Sequence, residues 1–280
     1  QDSIKIKLEF DTAIWKRILS KTWPVALSVV FTTIYFKGDT IILSLARPYE
    51  DVGIYGVAYK ILEVLITLPI ILMGLVLPSL TKAFSEKNME RFNEISQKTF
   101  DSLCIMAAPM TAGTIILADK IILLIAGQGY EDSANTLRIL ICATYVIFLG
   151  SLFSHAIVAI NKQKQMIKYY ALVAVSSLVL YALYIPRYSY YAAATVTVVA
   201  ELAIALAAFW KVKKTSNFNL SKKTLIKTTI FSALMAGAMF PFVNYNIIIP
   251  IALGALVYFI LIISTKTHEY AFNNVFRKNK

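Results

Sequence analysis

Apolar residues in this chain gather in long unbroken runs and do not form the alternating or one-faced patterns of a soluble fold. Eight runs can be read: Trp23–Ala46, Gly53–Leu80, Phe100–Ala118, Ala134–Ile160, Met166–Ile185, Tyr190–Val212, Leu225–Val243 and Ile247–Ser264. At about 1.5 Å per residue, a run of about 20 crosses a hydrocarbon core of about 30 Å. Lipid offers the backbone no hydrogen-bond partners, so each run must satisfy its own as a helix. The pattern predicts an all-α fold, a polytopic membrane bundle of about eight transmembrane helices. Short connectors join the last four, with a turn at Asn244–Asn246. Pro69, Pro109, Pro241 and Pro250 lie in or at the ends of runs and predict kinks, which suit a protein that rocks between inward- and outward-open forms.

The polar segments between runs alternate in charge. Lys5, Lys7, Lys16, Arg17 and Lys21 precede the first run, and Lys82, Lys87, Arg91 and Lys98 follow the second. Lys162, Lys164 and Lys168 follow the fourth, and Lys211, Lys213, Lys214, Lys222, Lys223 and Lys227 follow the sixth. Lys266, Arg277, Lys278 and Lys280 follow the eighth, so these segments hold 22 of the 28 basic residues. The intervening connectors hold only Arg47 and Arg187. Cationic loops stay cytoplasmic, which predicts a chain in the cytoplasmic membrane with both termini on the cytoplasmic side. The net charge of +12 is thus a topology signal, and no nucleic-acid partner is needed to explain it.

Composition agrees: of 280 residues 58% are hydrophobic and 16% charged, against about 45–50% and about 25% in soluble domains. Trp23, Tyr55, Tyr188, Tyr190, Tyr191, Trp210 and Tyr245 stand near run ends, where amphipathic rings favour the headgroup zone. Asp11–Ser20, with Asp11 as N-cap, and Thr81–Gln97 read as amphipathic helices along the inner membrane surface. Cys104 and Cys142 fall inside runs, which implies no disulfide framework, and no metal spacing is present. The chain opens at Gln1 without a signal peptide, which predicts a chain beginning partway through a longer protein. The longest outer connector, around Gly127–Ser133, is short, and the loops hold no nucleophile–base or paired-carboxylate arrangement, so an enzyme is not expected. His155 and His268 stand alone, His155 reading as a polar group at the inner membrane surface.

Charges inside the runs carry the candidate chemistry. A charge at the centre of a spanning helix costs about 2.5–3.5 kcal/mol on insertion scales, so it turns to water or to a partner. Lys37 and Asp39 lie in the first run, Lys60 and Glu63 in the second, and Glu201 midway along the sixth. Asp119 and Lys120 end the third, and Arg138 opens the fourth. Asp39 and Lys60 fall at matching heights on successive helices. Tyr35 shares a face with Asp39, and Glu63 and Thr67 share one with Lys60, which predicts a lined cavity. Snorkelling of Asp119, Lys120 and Arg138, or a structural Lys60–Glu63 pair, remains the plainer reading of those groups.

The run Tyr35-Phe36-Lys37-Gly38-Asp39-Thr40-Ile41-Ile42-Leu43, then Val52-Gly53-Ile54-Tyr55-Gly56-Val57-Ala58-Tyr59-Lys60, resembles the polysaccharide-unit flippases. These are the O-antigen and capsule exporters of the multidrug/oligosaccharidyl-lipid/polysaccharide superfamily. Pro69, Pro78-Ser79-Leu80, the basic linker after them, and Ile185-Pro186-Arg187-Tyr188 leading into Ala192–Glu201 fit the same family in order and spacing. The resemblance implies two six-helix lobes around a cationic cavity, with undecaprenyl-pyrophosphate-linked sugars crossing by alternating access. It implies that residues 1–22 are a linker, 23–212 the C-terminal six-helix lobe, and 213–280 two additional helices with a basic tail. The N-terminal lobe of the same transporter, membrane lipids and the lipid-linked sugar are the implied partners. Tyr35, Lys37, Asp39, Tyr59, Lys60, Glu63 and Arg138 would line the cavity, cations meeting the pyrophosphate and tyrosines stacking on sugars. In the related lipid II flippases a carboxylate matching Asp39 joins residues of the fifth and sixth helices to bind sodium. Thr195 and Thr197 lie in the corresponding part of the sixth run, but the fifth offers Ser176 and Ser177 where an acid or amide would stand. No cofactor is implied; sodium or proton coupling through Asp39, Thr195, Thr197 and Glu201 are both open. The alternative is half of a multidrug/cation antiporter of the same superfamily.

Overall fold

The computed structural model describes residues 11–267, and within them every regular element is helical. The elements are α1 (Thr12–Ala46), α2 (Tyr49–Leu65), α3 (Thr67–Ser85), α4 (Met89–Ala126), α5 (Asp132–Ala159), α6 (Gln163–Ser216), α7 (Lys223–Met239) and α8 (Ile248–Ser264). A 3-10 turn at Phe240–Phe242, with Pro241 inside it, lies between the last two. Lys5, Lys7, His268, Arg277, Lys278 and Lys280 lie outside the described residues.

Six of these stretches are long and apolar enough to cross a membrane, with α2 and α3 counted as one, and α8 is a shorter apolar helix. The 54 residues of α6 would reach about 80 Å as a straight helix, far more than one crossing needs. The chain reverses at Ser189 (φ 50°, ψ −137°), three residues after Pro186. The reversal is plain from Tyr181 and Thr197, eight residues to either side, whose hydroxyls meet at 3.1 Å. This hairpin turns six stretches and α8 into the eight apolar segments read from the sequence.

Proline has unequal effects. Pro69 cannot donate to the carbonyl of Leu65, and the helix breaks there, with Ile66 between α2 and α3 and Thr67 Oγ1 bonded to the Val64 carbonyl at 2.6 Å. Helix α4 runs unbroken past Pro109. The predicted inner-surface helices take another form. Asp11 does cap, accepting from the Ala13 and Ile14 amides at 2.8 and 3.2 Å, but Asp11–Ser20 continues directly into the first span as one 35-residue helix. Thr81–Gln97 is the end of α3, a turn at Glu86–Asn88, and the start of α4.

Helix α5 is the most enclosed apolar helix, packed by α2, α3, α4 and α6. Close approach is licensed by missing side chains. A Cβ on Gly150 would sit 2.9 Å from Ala205 Cβ, and one on Gly38 2.9 Å from Leu178 Cδ2, which sets α5 and α1 tight against the two arms of α6. Helix α7 packs on α4 and α8 on α7, where Tyr258 donates to the Ile105 carbonyl at 2.9 Å.

The two ends of the bundle sort as the charge alternation requires. At the basic end Gln97 bonds Ser221 in both directions (3.1 and 2.9 Å), and Lys164 lies over Trp23. At the other end Ser133 bonds the Ile54 carbonyl at 2.8 Å, and Ser189 bonds Asp51 at 2.6 Å. The two exceptional arginines are both occupied there, Arg47 with Asp51 at 2.7 Å and Arg187 over the Tyr188 ring. In the α4–α5 turn Gly127 and Gly129 take positive φ, and the Gly129 amide holds the Glu131 carboxyl below its ordinary range.

Candidate functional site

Asp39 is fully buried where α1 crosses α2 and α6. Its Oδ2 accepts from Tyr55 at 2.5 Å and from Thr197 Oγ1 at 3.3 Å; its Oδ1 accepts from the Thr40 amide and hydroxyl at 2.5 and 3.1 Å. Tyr181 extends the network, meeting Thr197 Oγ1 and donating to the Tyr35 carbonyl at 3.1 Å. Four donors surround the carboxylate, and no lysine or arginine pairs with it among the described residues. A carboxylate so placed needs a proton or a small cation to offset its charge. The oxygens at hand are the carboxylate, the Thr197, Tyr55 and Tyr181 hydroxyls and the Tyr35 carbonyl, a hard set suited to an alkali ion. Among the described residues no cluster of three His, Cys, Asp or Glu could hold a metal ion.

The charged partners expected beside Asp39 face elsewhere. Lys37 and Lys60 both reach Glu63, at 2.5 and 3.1 Å, bridging α1 and α2 on a face where their side chains are 48% and 75% exposed. Asp39 and Lys60 do not share a cavity: Asp39 meets Tyr55 on α2, while Lys60 turns to Glu63. Arg138 binds Asp119, Asn135 (2.7 Å) and the Ile115 carbonyl (3.2 Å), tying α4 to α5, and Lys120 reaches the Tyr245 carbonyl of the α7–α8 turn. The tyrosines expected to stack on sugars are enclosed: Tyr35 is 2% exposed, while Tyr59 is 5% exposed, bonded to the Phe36 carbonyl and capped by Lys37. Thr195 is exposed and spends its hydroxyl on the Tyr191 carbonyl at 2.8 Å, apart from Asp39.

Glu201 lines a cavity of about 300 Å³ with Tyr35, Tyr170, His155, Ser151 and Ser154. It lies one helical turn from Thr197, as Tyr35 lies one turn from Asp39, so α1 and the second arm of α6 face each other at the Asp39–Thr197 bond and again, one turn on, across this cavity. His155, near the end of α5, is part of this cavity, its Nδ1 held by the Ser151 carbonyl at 2.7 Å.

Sequence reasoning placed Tyr55 in the headgroup belt, yet it is fully buried on Asp39, and it passed over Tyr181 and Tyr170 altogether. The available signal was Tyr55, which follows Asp39 by 16 residues across a short turn and so falls at the same depth. Tyr181 could be placed only once the reversal at Ser189 was fixed.

The all-helical bundle of eight apolar segments, with a buried carboxylate between interrupted and hairpinned helices, is similar in fold to solved transporters of the multidrug/oligosaccharidyl-lipid/polysaccharide superfamily. Residues 1–135 match the model of a family described as polysaccharide biosynthesis protein. The structure superposes on a lipid II flippase, MurJ, in an inward closed conformation with a TM-score of 0.78 at 19% identity, covering 94% of this chain and 57% of that one. It also matches a transporter of the superfamily from Pyrococcus furiosus, described as having a binding pocket of reversed polarity (TM-score 0.63, 14% identity, 91% and 66% covered). An outward-facing multidrug resistance MATE family transporter is similar as well (TM-score 0.62, 14% identity, 92% and 67% covered). No curated protein matches the sequence. The chain spans a little over half the length of the MurJ structure. The resemblance to the polysaccharide-unit flippases is borne out by the family match and the fold together.

Proposed function

We propose that this chain is the C-terminal part of a transporter that flips polyprenyl-pyrophosphate-linked oligosaccharide units across the cytoplasmic membrane by alternating access. The observation that carries this reading is the exposed Lys37–Glu63–Lys60 group, two cations on one anion in the middle of apolar helices. Facing acyl chains it would be costly; facing a wet vestibule completed by an N-terminal lobe it supplies a net positive charge for pyrophosphate. Arg138 adds a third cation, already engaged by Asp119. The basic end of the bundle is the cytoplasmic one, which puts both termini there. Asp39, with Thr197, Tyr55 and Tyr181 around it, is the coupling site, discharged by sodium or a proton as the lobes rock. Interrupted α2–α3 and the α6 hairpin provide the places where the helices bend.

To test this, Lys37→Ala and Lys60→Ala are combined in the complete transporter and surface polysaccharide is measured in the producing cell. Export falls by about tenfold or more, about 1.4 kcal/mol of lost recognition, at unchanged protein level. Full export would end the charge-recognition role. The reading of the chain as half of a multidrug/cation antiporter draws on the carboxylates Asp39 and Glu201, neither of which pairs with a lysine or arginine among the described residues. Binding of cationic dyes in preference to polyprenyl-pyrophosphate sugars would favour it.

A further inference from the structure

Asp39 is sealed, and any cation that reaches it needs a route. Two adjoining cavities supply one along the seam between α1, α5 and α6. The first, about 230 Å³, lies toward the basic end, lined by Ser28, Thr32, Thr33, Ser154, Gln163 and Tyr170 among others. Thr32, Ser154 and Tyr170 also line the second, the cavity of about 300 Å³ that holds Glu201. The groups facing Glu201 are Tyr35 on α1, Tyr170 on the first arm of α6, and His155 on α5. From the α2–α3 junction come Ile66 and Ile70, and among the described residues no lysine or arginine lines either space. Tyr35 lines the cavity that holds Glu201, while its backbone carbonyl takes the Tyr181 hydroxyl that joins Thr197 and Asp39. One residue therefore touches both carboxylate sites. Glu201 and Asp39 differ in depth by about one turn, near 6 Å, a single hop for a small ion.

We infer that the Glu201 cavity is a second cation-binding station, through which a proton or sodium ion passes from the basic end of the bundle to Asp39. Tyr35 and Tyr170 give hydroxyl oxygens and His155 a ring nitrogen, so the station serves a small monovalent cation and, lacking any basic group of fixed charge, repels none. The inference rests on the reading that Asp39 takes up the coupling ion, and the two can fail separately.

The test uses the full chain in lipid nanodiscs, labelled at constant pH 7 and ionic strength with dicyclohexylcarbodiimide, which couples to protonated carboxyls, with each site read by mass spectrometry. Glu201 labels while the exposed Glu50 and Glu90 do not. Replacing choline with sodium slows it about tenfold if sodium is the passenger, and leaves it unchanged if the passenger is a proton. After a jump in pH or sodium, the change in labelling at Asp39 takes about ten times longer to develop in Glu201→Gln than in the parent. Labelling of Glu201 no faster than Glu50 and Glu90, or an Asp39 response of unaltered speed in Glu201→Gln, overturns the station. Failure of Asp39 to respond to either ion in the parent, with Glu201 responding, overturns instead the assignment of Asp39 as the coupling site. The variant Tyr35→Phe, which keeps the ring, guards against a packing artefact: it slows Asp39 exchange without altering the fold.

Discussion

Lys37 and Asp39 are two residues apart on one helix, and they serve opposite surroundings. Two residues of an α-helix are about 200° of rotation, so one side chain faces the α6 seam when the other faces away from it. On the seam, Asp39, Tyr55, Tyr181 and Thr197 are buried and joined by hydroxyl hydrogen bonds, with no basic residue among the described ones. On the outer face, Lys37, Glu63 and Lys60 are held by ion pairs and left in contact with the surroundings. The same pair of helices, α1 and α2, thus presents a buried carboxylate held by hydroxyls on one side and an exposed, ion-paired cationic group on the other. The proposed function uses both, kept apart so that the lysines do not discharge the carboxylate.

Substitutions on the two sides should separate accordingly. Asp39→Ala is the severest. It leaves the Tyr55 and Thr197 hydroxyls without their acceptor, costs about 1–3 kcal/mol at about 0.6–1.7 kcal/mol per interhelical bond, and takes export to background. Thermal unfolding in detergent and surface polysaccharide are the two readouts. Gly150→Val comes next, because the obstacle is the Cβ of Ala205, fixed to its backbone; overpacking there costs about 1–3 kcal/mol. Gly38→Ala costs less on the same measurement, since the nearest atom is the end of the flexible Leu178 side chain. Ser189→Ala removes the tie from the α6 reversal to Asp51 and lowers stability by about 0.6–1 kcal/mol. Lys60→Ala is smallest in stability, within about 0.5 kcal/mol for so exposed a pair, yet it lowers export. A large loss of stability in Lys60→Ala, or full export in Asp39→Ala, would collapse the contrast.

The parts of this picture legible in the sequence are those set by composition over many residues. Eight apolar runs and the alternation of basic connectors gave the number of segments and the ends of the bundle, because both depend on burial and charge averaged over 20 residues. What could not be read was azimuth. Asp39 and Lys60 can be set on successive helices from the sequence, but the side each faces depends on how α1 packs against α6, where Gly38 meets Leu178. Tyr55 looked like a belt residue because its position in the run is near the end, while its fully buried place follows from the short Arg47–Pro48 turn between α1 and α2. His155 and Glu201, 46 residues apart, line one cavity because α5 and the second arm of α6 touch at Gly150 and Ala205.

Cysteine accessibility tests the division most directly. In a background lacking Cys104 and Cys142, Lys60→Cys, Tyr55→Cys and the exposed Leu75→Cys are treated in the membrane with a charged, water-soluble thiol reagent. A wet cationic face beside a sealed seam gives rapid modification at position 60 and none at 55 or 75. Equal inertness at 60 and 75 would mean that the lysines look into lipid, and the vestibule would not exist.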